Sequence, residues 1–496
     1  MPEITVSANR RASDDAGSIH SRLLIDGKWC DTGRLEENTN PSDLADLLGD
    51  YCCASSQDVE EAVSAARRAF RGWARSNPEQ RAAILRNVAR LLEARTESLA
   101  QLLSREEGKV LKDARGEVAR AAQIFYFYSG ECLRHPGATY ASLRPGFDAR
   151  VDYEPVGVVA LITAWNYPFA LAAWKIAPAL AYGNTIVFKP SEVTPACGVA
   201  IAEILIEAGL PAGVLNMVHG PGAELGEALI CGTDAVSFTG ATTTGRKVLE
   251  CAARGMKKVQ LELGGKNPLV IADDADVELA ADVALDGAFL QAGQRCTASS
   301  RLIVTAGIHD AFVERLAAKL RAWRVGHALD VASDIGPVVT KAQLAKDLSF
   351  IAGAREAGAE LLCGGELLER ETRGFYLAPA LFIGSTNAMR INREEVFGPV
   401  AAVIRAADLD EAIAIANDTE YALSAGICTR SLTSAERFRR ATRAGMVAVN
   451  APTAGAEFHL PFGGRAPSGY GPREQGTATA AFFTESKTTY SNHGVT

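Results

Sequence analysis

The hydrophobic and polar positions of the chain follow two different periods. From residue 57 to about residue 128, apolar residues recur every three or four positions, which is the spacing of one buried face on an amphipathic helix. One such stripe consists of Val59, Val63, Ala66 and Phe70. From residue 156 onward, short apolar runs are followed by helical stretches that end at a glycine, as at Gly183 and Gly209. The pattern predicts helices first and strand–helix units afterwards.

The strand–helix units are predicted between residues 156 and 262. Strands are expected at residues 156–163, 185–188, 214–218, 235–239 and 258–262, and helices at 168–182, 195–208, 223–231 and 243–254. Such alternation implies a parallel sheet with helices on both faces. A second α/β region is expected to begin with a helix at residues 277–290 and to run to about residue 450.

Three further segments do not fit these units. Residues 1–22 are polar and lack the apolar region of a secretory signal, so they are expected to form a tail. Residues 136–152 turn from irregular to extended, which indicates a hairpin. Residues 484–490 are typical of an exposed strand that needs a partner.

Length, charge and cysteine usage narrow the class of protein. A chain of 496 residues is too long for one core and is expected to form two or three domains. Its 51 basic and 59 acidic residues give a net charge of -8 without long blocks of one sign, which disfavours nucleic acid and anionic membranes as partners. The ten cysteines include no C-x-x-C pair, so no metal site or disulfide framework is expected, and a reducing, cytoplasmic location is favoured.

One segment is apolar enough to suggest a membrane span. Residues 156–182 are almost entirely apolar, but they include Asn166, Pro168 and Lys175. These residues favour a buried strand, a turn and a buried helix over a membrane-spanning helix.

A cysteine and a carboxylate are candidates for covalent catalysis. Cys296 lies between a glycine-containing turn and an apolar run, and the preceding Arg295 is expected to favour the reactive thiolate. The alternative is a small buried hydrophobic residue. Glu262 ends an apolar strand beside Gly264 and Gly265, where partial desolvation would raise its pKa toward that of a general base. A thiol and such a base suit a covalent mechanism with a hydrolytic second half.

Other candidates follow the predicted strands, at the edge where ligands of parallel sheets collect. Asn166 is an amide donor suited to an oxyanion, or else a helix cap before the following proline. Lys189 and Glu192 suit a nucleotide ribose, or form a solvated loop. Gly240 and Gly245 let the backbone approach a phosphate, or form a tight strand–helix connection.

Seven motifs occur along the chain in one order. They are TAWNYPF, FKPSE, FTGATTTGR, LELGGKNP, GQRCTASSR, EEVFGP and PFGG. Together they make the chain, from roughly residue 24 to residue 490, resemble the NAD(P)-dependent aldehyde dehydrogenase superfamily. The resemblance implies an α/β fold with a Rossmann-type cofactor domain, an α/β catalytic domain and an oligomerisation arm. The implied division is a tail at 1–22, a cofactor domain at 23–135 and 153–262, a catalytic domain at 263–470, and an arm at 136–152 and 471–496.

The resemblance also implies roles for the matching residues. Cys296 would be the nucleophile, and Glu262 the base that activates the deacylating water. Asn166 and the Cys296 backbone N–H would form the oxyanion hole, and Glu474 matches a carboxylate that relays protons in some members. The cofactor residues would be Trp165, Lys189, Glu192, Gly240, Gly245, Glu395 and Phe397. No metal is implied.

Cofactor choice and assembly follow from the same resemblance. Glu192 is expected to repel a 2′-phosphate and so to favour NAD, whereas Lys189 offers that phosphate a cation and leaves NADP open. Many members have serine where this chain has Ala241, which removes one phosphate hydrogen bond. A homodimer or homotetramer is expected.

The substrate is expected to be a small aldehyde. GAEFHLPFGGR, SGYGPREQG and GQRCTASSR resemble the α-ketoglutaric semialdehyde dehydrogenase branch. Succinic semialdehyde dehydrogenases usually carry arginine at the position of Trp174, so that branch fits less well. Candidate substrate residues are Tyr167, Trp174, Arg295 and Phe462, and Arg295 could instead form a structural salt bridge. Neutral aliphatic or aromatic aldehydes, a CoA-acylating relative and a catalytically silent binding protein remain alternatives.

Overall fold

The computed structural model describes residues 19–134 and 137–494, and it arranges their strands in four sheets. A small sheet near the N-terminus has the order β1-β5-β4, formed by β1 (Ile19–Ser21), β4 (Leu35–Thr39) and β5 (Leu47–Cys52). β1 pairs with β5, so residues 19–21, which the sequence places in a tail at 1–22, form a strand instead. Residues 1–18 lie outside the described part of the chain.

The second sheet is the one predicted from the strand–helix units. Its order is β20-β12-β11-β8-β9-β10-β2-β3, and the five strands from β12 to β10 are parallel. The strands are β2 (Leu23–Ile25), β3 (Lys28–Cys30), β8 (Val158–Ile162), β9 (Thr185–Lys189), β10 (Leu215–Met217), β11 (Ala235–Thr239), β12 (Lys258–Glu262) and β20 (Gly469–Tyr470). All five strands predicted between residues 156 and 262 are confirmed.

Helices cover both faces of this sheet, as expected. They are α1 (Ser56–Ala74), α2 (Pro78–Ala94), α3 (Thr96–Glu107), α4 (Leu111–Glu131), α5 (Pro168–Ala181), α6 (Pro195–Glu207), α7 (Gly222–Gly232) and α8 (Thr242–Arg254). Alternate residues of β8 enter two different apolar cores, because successive side chains of a strand point to opposite faces. Val159 packs with α2, α4 and α5, whereas Val158 packs with α1, α7 and α8.

The third sheet belongs to the second α/β region. Its order is β15-β16-β17-β14-β13-β18-β19, parallel except for β15. The strands are β13 (Pro268–Ile271), β14 (Arg301–Thr305), β15 (Glu360–Cys363), β16 (Ala380–Ile383), β17 (Val400–Ala406), β18 (Ser424–Cys428) and β19 (Met446–Val449). The helices that follow α8 are α9 (Val277–Phe289), α10 (His309–Ala322), α11 (Lys341–Glu356), α12 (Arg390–Arg393), α13 (Leu409–Asn417), α14 (Leu432–Ala441) and α15 (Ala480–Phe483).

The last sheet brings together the predicted hairpin and the predicted exposed strand. It consists of β6 (Ala138–Ala141), β7 (Phe147–Pro155) and β21 (Thr484–Asn492), in the order β21-β7-β6. All three strands are antiparallel to their neighbours, and Thr484 pairs with Pro155. The partner that β21 needs on one side is therefore β7 of the same chain, and its other side is a sheet edge. Position 136, the predicted start of the hairpin, lies outside the described residues.

The apolar segment at residues 156–182 forms β8, a turn and α5, as predicted. Within the described residues, the helices are all too short or too polar to cross a membrane.

Candidate active site

A cavity of about 490 Å³ collects most of the predicted site residues. Cys296, Glu262 and Asn166 all line it, although they are far apart in the sequence. Glu262 ends β12 and Asn166 precedes α5, so both lie at the carboxyl edge of the second sheet. Cys296 comes from the turn between α9 and β14. A wider depression of about 720 Å³ beside β3 and α1 contains none of the predicted site residues.

The turn that carries Cys296 has an unusual backbone. Gln291, Ala292 and Gly293 all have a positive φ, of 55°, 53° and 65°. A Cβ atom on Gly293 would lie 2.2 Å from the carbonyl oxygen of Gly398, so only glycine fits there. A positive φ costs about 1–3 kcal/mol for each non-glycine residue, and such a conformation persists only where the surrounding structure imposes it. This strain points to a constrained, functional loop.

Hydrogen bonds from the Asn267 side chain hold the same loop in place. Its side-chain Nδ2 donates to the carbonyl oxygens of Cys296, at 2.8 Å, and of Ala298, at 3.0 Å. Asn267 directly precedes β13, so the third sheet fixes the position of the loop.

The Cys296 thiol is neutral at ordinary pH. Part of its surface opens to the cavity, yet the surrounding protein buries the sulfur, and this burial raises the pKa of the thiol to about 12. The carboxylates of Glu395 and Glu262 raise that pKa further. Arg295 was expected to favour the thiolate. This expectation is wrong, because burial and the two carboxylates have the larger effect on the pKa of the thiol and favour its neutral form. A base must therefore remove the thiol proton.

Arg295 is directed away from the cavity. Its Nη2 donates to the carbonyl oxygens of Asp286 and of Gly287, the latter at 3.0 Å, near the end of α9. It is buried and is not among the residues that line the cavity. These contacts are structural, but they are hydrogen bonds to backbone carbonyl oxygens, and the salt bridge considered as the alternative is not found among the described residues.

The Asn166 side chain points toward the cysteine loop rather than capping α5. Its Nδ2 donates to the carbonyl oxygen of Gln294 at 3.1 Å, and it makes no cap hydrogen bond. An amide nitrogen has two N–H groups, so a second donor remains for a ligand in the cavity. The first N–H groups of α5, those of Phe169 and Ala170, donate instead to Glu117 Oε1 at 2.9 and 3.2 Å.

A buried ion pair that the motifs do not mark supports Asn166. Lys109 Nζ lies 2.6 Å from Glu117 Oε2 and donates to the Asn166 carbonyl oxygen at 2.7 Å. Both charged side chains are fully buried, and Lys109 also lies 4.1 Å from the centre of the Tyr167 ring. The pair joins α4 to the start of α5 and so fixes the backbone of Asn166. An isolated sequence offers no signal for this pair beyond charged residues eight positions apart.

Glu262 has the environment of a general base. The carboxylate is 4% exposed, and its Oε2 has no hydrogen-bond partner among the described residues. Burial raises the pKa of Glu262 well above its ordinary value, and the charge of Glu474 raises it further, while Lys175 and Arg473 oppose the shift. A carboxylate with a raised pKa takes up a proton near neutral pH more readily than an exposed one.

Glu474 belongs to a buried polar chain behind Glu262. Its Oε1 pairs closely with Lys175 Nζ, which also donates to Ser237 Oγ at 2.7 Å. Ser237 in turn donates to Gln260 Oε1 at 2.8 Å. Glu474 Oε2 has no partner among the described residues, so one oxygen is free to exchange a proton. The sequence predicts no role in the site for Lys175, because it lies within an apolar helix.

The other half of the cavity fits a dinucleotide. Its lining includes Trp165, Thr239, Gly240, Ala241, Gly264, Glu395 and Phe397. A Cβ atom on Gly245 would lie 2.4 Å from the Leu263 side chain, so this glycine lets α8 begin directly beside the end of β12. The buried hydroxyl oxygen of Thr239, just before α8, has no hydrogen-bond partner among the described residues. An unpartnered hydroxyl beside a helix N-terminus suits a phosphate group.

Glu395 and Phe397 are held firmly in this half. Glu395 Oε1 accepts a hydrogen bond from the Gly265 N–H at 2.9 Å. Phe397 has φ of 67°, and its ring packs edge-on against Trp165 with the centroids 5.3 Å apart. Carboxylate and ring are thus fixed before any ligand binds.

Lys189 and Glu192 lie at the same sheet edge but outside the cavity lining. Lys189 Nζ donates to Glu192 Oε2 at 3.1 Å and to the Pro190 carbonyl oxygen at 3.2 Å. Lys189 is buried and Glu192 is 45% exposed at its side chain. Their contact with a ribose stays a prediction.

The aromatic residues proposed for the substrate line the remaining wall. Tyr167, Trp174 and Phe462 all border the cavity, and the Trp174 and Phe462 rings pack with centroids 4.9 Å apart. This wall is apolar, which suits an aliphatic chain.

Comparison with known proteins agrees with this geometry. A family model described as the aldehyde dehydrogenase family matches residues 29–489. The α-ketoglutarate semialdehyde dehydrogenase of Haloferax volcanii is 43% identical over 480 residues, covering 95% of this chain and 99% of that protein. The α-ketoglutaric semialdehyde dehydrogenase of Bacillus subtilis is 41% identical, covering 94% and 97%. The 2,5-dioxopentanoate dehydrogenase of Saccharolobus solfataricus is 40% identical, covering 93% and 98%.

Solved structures give the same result for the fold. Betaine aldehyde dehydrogenase from Staphylococcus aureus in complex with NAD+ superposes with a TM-score of 0.93 at 34% identity, covering 95% of each chain. An NAD-dependent aldehyde dehydrogenase from Sinorhizobium meliloti superposes with a TM-score of 0.94 at 38% identity, covering 97% of this chain and 96% of that one.

Proposed function

This chain belongs to the aldehyde dehydrogenase family, and we propose that it oxidises a short aldehyde with a distal carboxylate, such as 2,5-dioxopentanoate, to the acid with NAD. The observation that carries the reaction is that Cys296, Asn166 and Glu262 line one cavity. The three relatives of 40–43% identity support the acidic semialdehyde.

The first half-reaction begins at the Cys296 sulfur. Glu262 is the base that takes the thiol proton, because its raised pKa makes it a better acceptor than an exposed carboxylate. The sulfur adds to the aldehyde carbon and forms a thiohemiacetal. The developing oxyanion is stabilised by the second Asn166 amide N–H and the Cys296 backbone N–H.

The cofactor half of the cavity then positions the oxidant. Glu395 and Phe397 would hold the nicotinamide riboside of NAD, and Lys189 and Glu192 would hold its adenosine ribose. When bound, NAD supplies the acceptor for the hydride that leaves the thiohemiacetal carbon, which turns the adduct into a thioester on Cys296.

The second half-reaction releases the acid. Glu262 first gives up the thiol proton and then takes a proton from a water molecule; the resulting hydroxide attacks the thioester carbon, the C–S bond breaks, and the Cys296 thiolate leaves and takes a proton from Glu262 or solvent to regenerate the thiol. Glu474 accepts the proton from Glu262 through its unpartnered oxygen and passes it along the chain that includes Lys175. A base at position 262 favours hydrolysis over transfer to CoA, and an intact set of Cys296, Glu262 and Asn166 disfavours a silent binding protein.

The substrate is tested with an aldehyde panel. The purified enzyme is assayed with 2,5-dioxopentanoate, pentanal and benzaldehyde, by following the absorbance of the reduced cofactor. We expect kcat/KM for 2,5-dioxopentanoate to exceed that for pentanal by at least about 10-fold, which corresponds to one charge-assisted hydrogen bond. A higher kcat/KM for pentanal or benzaldehyde would establish the alternative of a neutral-aldehyde enzyme.

Cofactor preference is expected to depend on Glu192. Its carboxylate accepts hydrogen bonds from ribose hydroxyls and repels a 2′-phosphate, so kcat/KM should be higher with NAD than with NADP. Glu192→Gln should reduce that ratio by about 10-fold, because the repulsion disappears while Lys189 remains. Glu224→Gln, another exposed carboxylate beside the sheet, is the matched control. A wild-type preference for NADP would contradict the proposed role.

We also propose the division into a cofactor domain at residues 23–135 and 153–262, a catalytic domain at 263–470 and an arm at 136–152 and 471–496. The unpaired edge and exposed residues of β21 support an interface between copies of the chain. Light scattering should give twice or four times the chain mass, and a monomer at micromolar concentration would contradict this.

The ten free cysteines support a reducing, cytoplasmic location.

A further inference from the structure

The cavity has a cationic wall that the sequence motifs do not mark. Arg120 on α4 lines the same cavity as Cys296, Trp174 and Phe462. One helical turn earlier, Gly116 also lines it, and a Cβ atom there would meet no atom within 4 Å. This face of α4 therefore leaves open space next to the guanidinium of Arg120.

The charge of Arg120 is not neutralised by the protein. Its guanidinium carbon lies 5.7 Å from the centre of the Phe458 ring, and it forms no ion pair among the described residues. The nearest carboxylate on the same helix, Glu117, is occupied by Lys109 and by the first N–H groups of α5. The side chain is half-buried, so solvent only partly screens it.

The other cations near the cavity are placed differently. Lys112 also lines the cavity, but it is exposed at the start of α4, about two helical turns from Arg120. Lys346 lines the cofactor half, where its charge acts on Glu395. Arg295 is directed to the carbonyl oxygens at the end of α9, and its charge acts on Asp113 and Asp286. Arg120 is therefore the cation that shares a wall with the aromatic residues.

We propose that Arg120 binds the distal carboxylate of the substrate and so makes the enzyme selective for acidic semialdehydes, in place of Arg295. This inference rests on the proposed function. A guanidinium presents two parallel N–H donors to a carboxylate, which fixes orientation as well as charge. With the carboxylate held at Arg120 and the chain against Trp174 and Phe462, the aldehyde is directed to Cys296.

The test compares two aldehydes that differ in one charge. For 5-oxopentanoate and its methyl ester, kcat/KM is measured with wild-type enzyme and with Arg120→Met, which keeps much of the side-chain volume. We expect the ratio of acid to ester to fall by about 10- to 100-fold in the variant. Arg120→Lys should recover part of the ratio, because it restores the charge without the planar fork.

Two controls separate recognition from a general structural effect. Arg115→Met removes a cation from the same helix that pairs with Glu97 outside the cavity lining, and it should leave the ratio at the wild-type value. Arg295→Met should lower kcat/KM for acid and ester alike. A ratio that stays constant in Arg120→Met, or that falls only in Arg295→Met, would overturn the inference. If the wild type oxidises neither aldehyde, or both equally well, the proposed preference for an acidic semialdehyde fails; if the wild type prefers the acid and Arg120→Met keeps that preference, only the role of Arg120 fails.

Discussion

Replacing Cys296 with alanine is expected to abolish aldehyde oxidation, with kcat falling by more than about 10⁴-fold. The reason is that Cys296 brings the one thiol of the cavity lining within the described residues, and the hydroxyl and ammonium groups that also line it, such as those of Thr297 and Lys346, are much weaker nucleophiles at neutral pH. Without the covalent adduct the aldehyde is hydrated or unactivated, and its hydride is a poor leaving group. The measurement is the steady-state rate of cofactor reduction with saturating NAD and aldehyde.

The control for this variant is Cys363→Ala. Cys363 lies in β15, is half-buried and is remote from the cavity lining. It should keep the wild-type rate, and Cys296→Ala should keep its affinity for NAD, measured by quenching of tryptophan fluorescence. A Cys296→Ala enzyme that retains a tenth of the wild-type rate would exclude Cys296 as the nucleophile.

Replacing Glu262 with glutamine is expected to separate the two half-reactions. The variant should still produce about one reduced cofactor per active site, although more slowly than the wild type, because solvent must take the thiol proton in place of Glu262. Its steady-state rate should fall by about 10²- to 10⁴-fold, because hydrolysis of the thioester loses its base. Rapid mixing followed by absorbance measures both phases.

The pH dependence provides a second signature of the same residue. Burial and Glu474 raise the pKa of Glu262, so its deprotonated, active form is lost as the pH falls through that raised value. The wild-type hydrolysis rate should therefore increase with pH through this range, and the glutamine variant should not show the increase. Glu394→Gln is the control, since Glu394 is exposed and pairs with Arg390 outside the cavity. An unchanged steady-state rate in Glu262→Gln would exclude it as the base.

Much of the fold could be predicted from the sequence, because it depends on local periodicity. The strands from β8 to β12 and the helices between them each have an apolar pattern of their own, and a glycine marks the end of helices such as α5 and α6. The rule that ligands gather at the carboxyl ends of parallel strands then placed Asn166 and Glu262 at one edge. The position of Cys296 beside them followed from the ordered motifs rather than from periodicity.

The direction of individual side chains could not be predicted in this way. Arg295 adjoins Cys296 in sequence, yet packing against α9 sends its guanidinium to backbone carbonyl oxygens. Arg120 precedes Cys296 by more than a third of the chain, yet both line one cavity. Contacts of this kind depend on how distant elements pack, and one sequence contains no periodic signal for them.

The pKa values show the same limit. Sequence adjacency suggested a thiolate stabilised by Arg295, but the pKa of the Cys296 thiol is raised to about 12 by burial, a property of the assembled fold. The pair of Lys109 and Glu117, which fixes Asn166, likewise joins two helices and matches no motif.

The central claim is that oxidation proceeds through a thioester on Cys296, and peptide mass spectrometry tests it most directly. The Glu262→Gln enzyme is mixed with NAD and 5-oxopentanoate, quenched in acid during the burst and digested. We predict that the peptide containing Cys296 gains the mass of the acyl group, in an amount equal to the reduced cofactor formed. Cofactor reduction without an adduct, or with the adduct on another cysteine, would contradict the account.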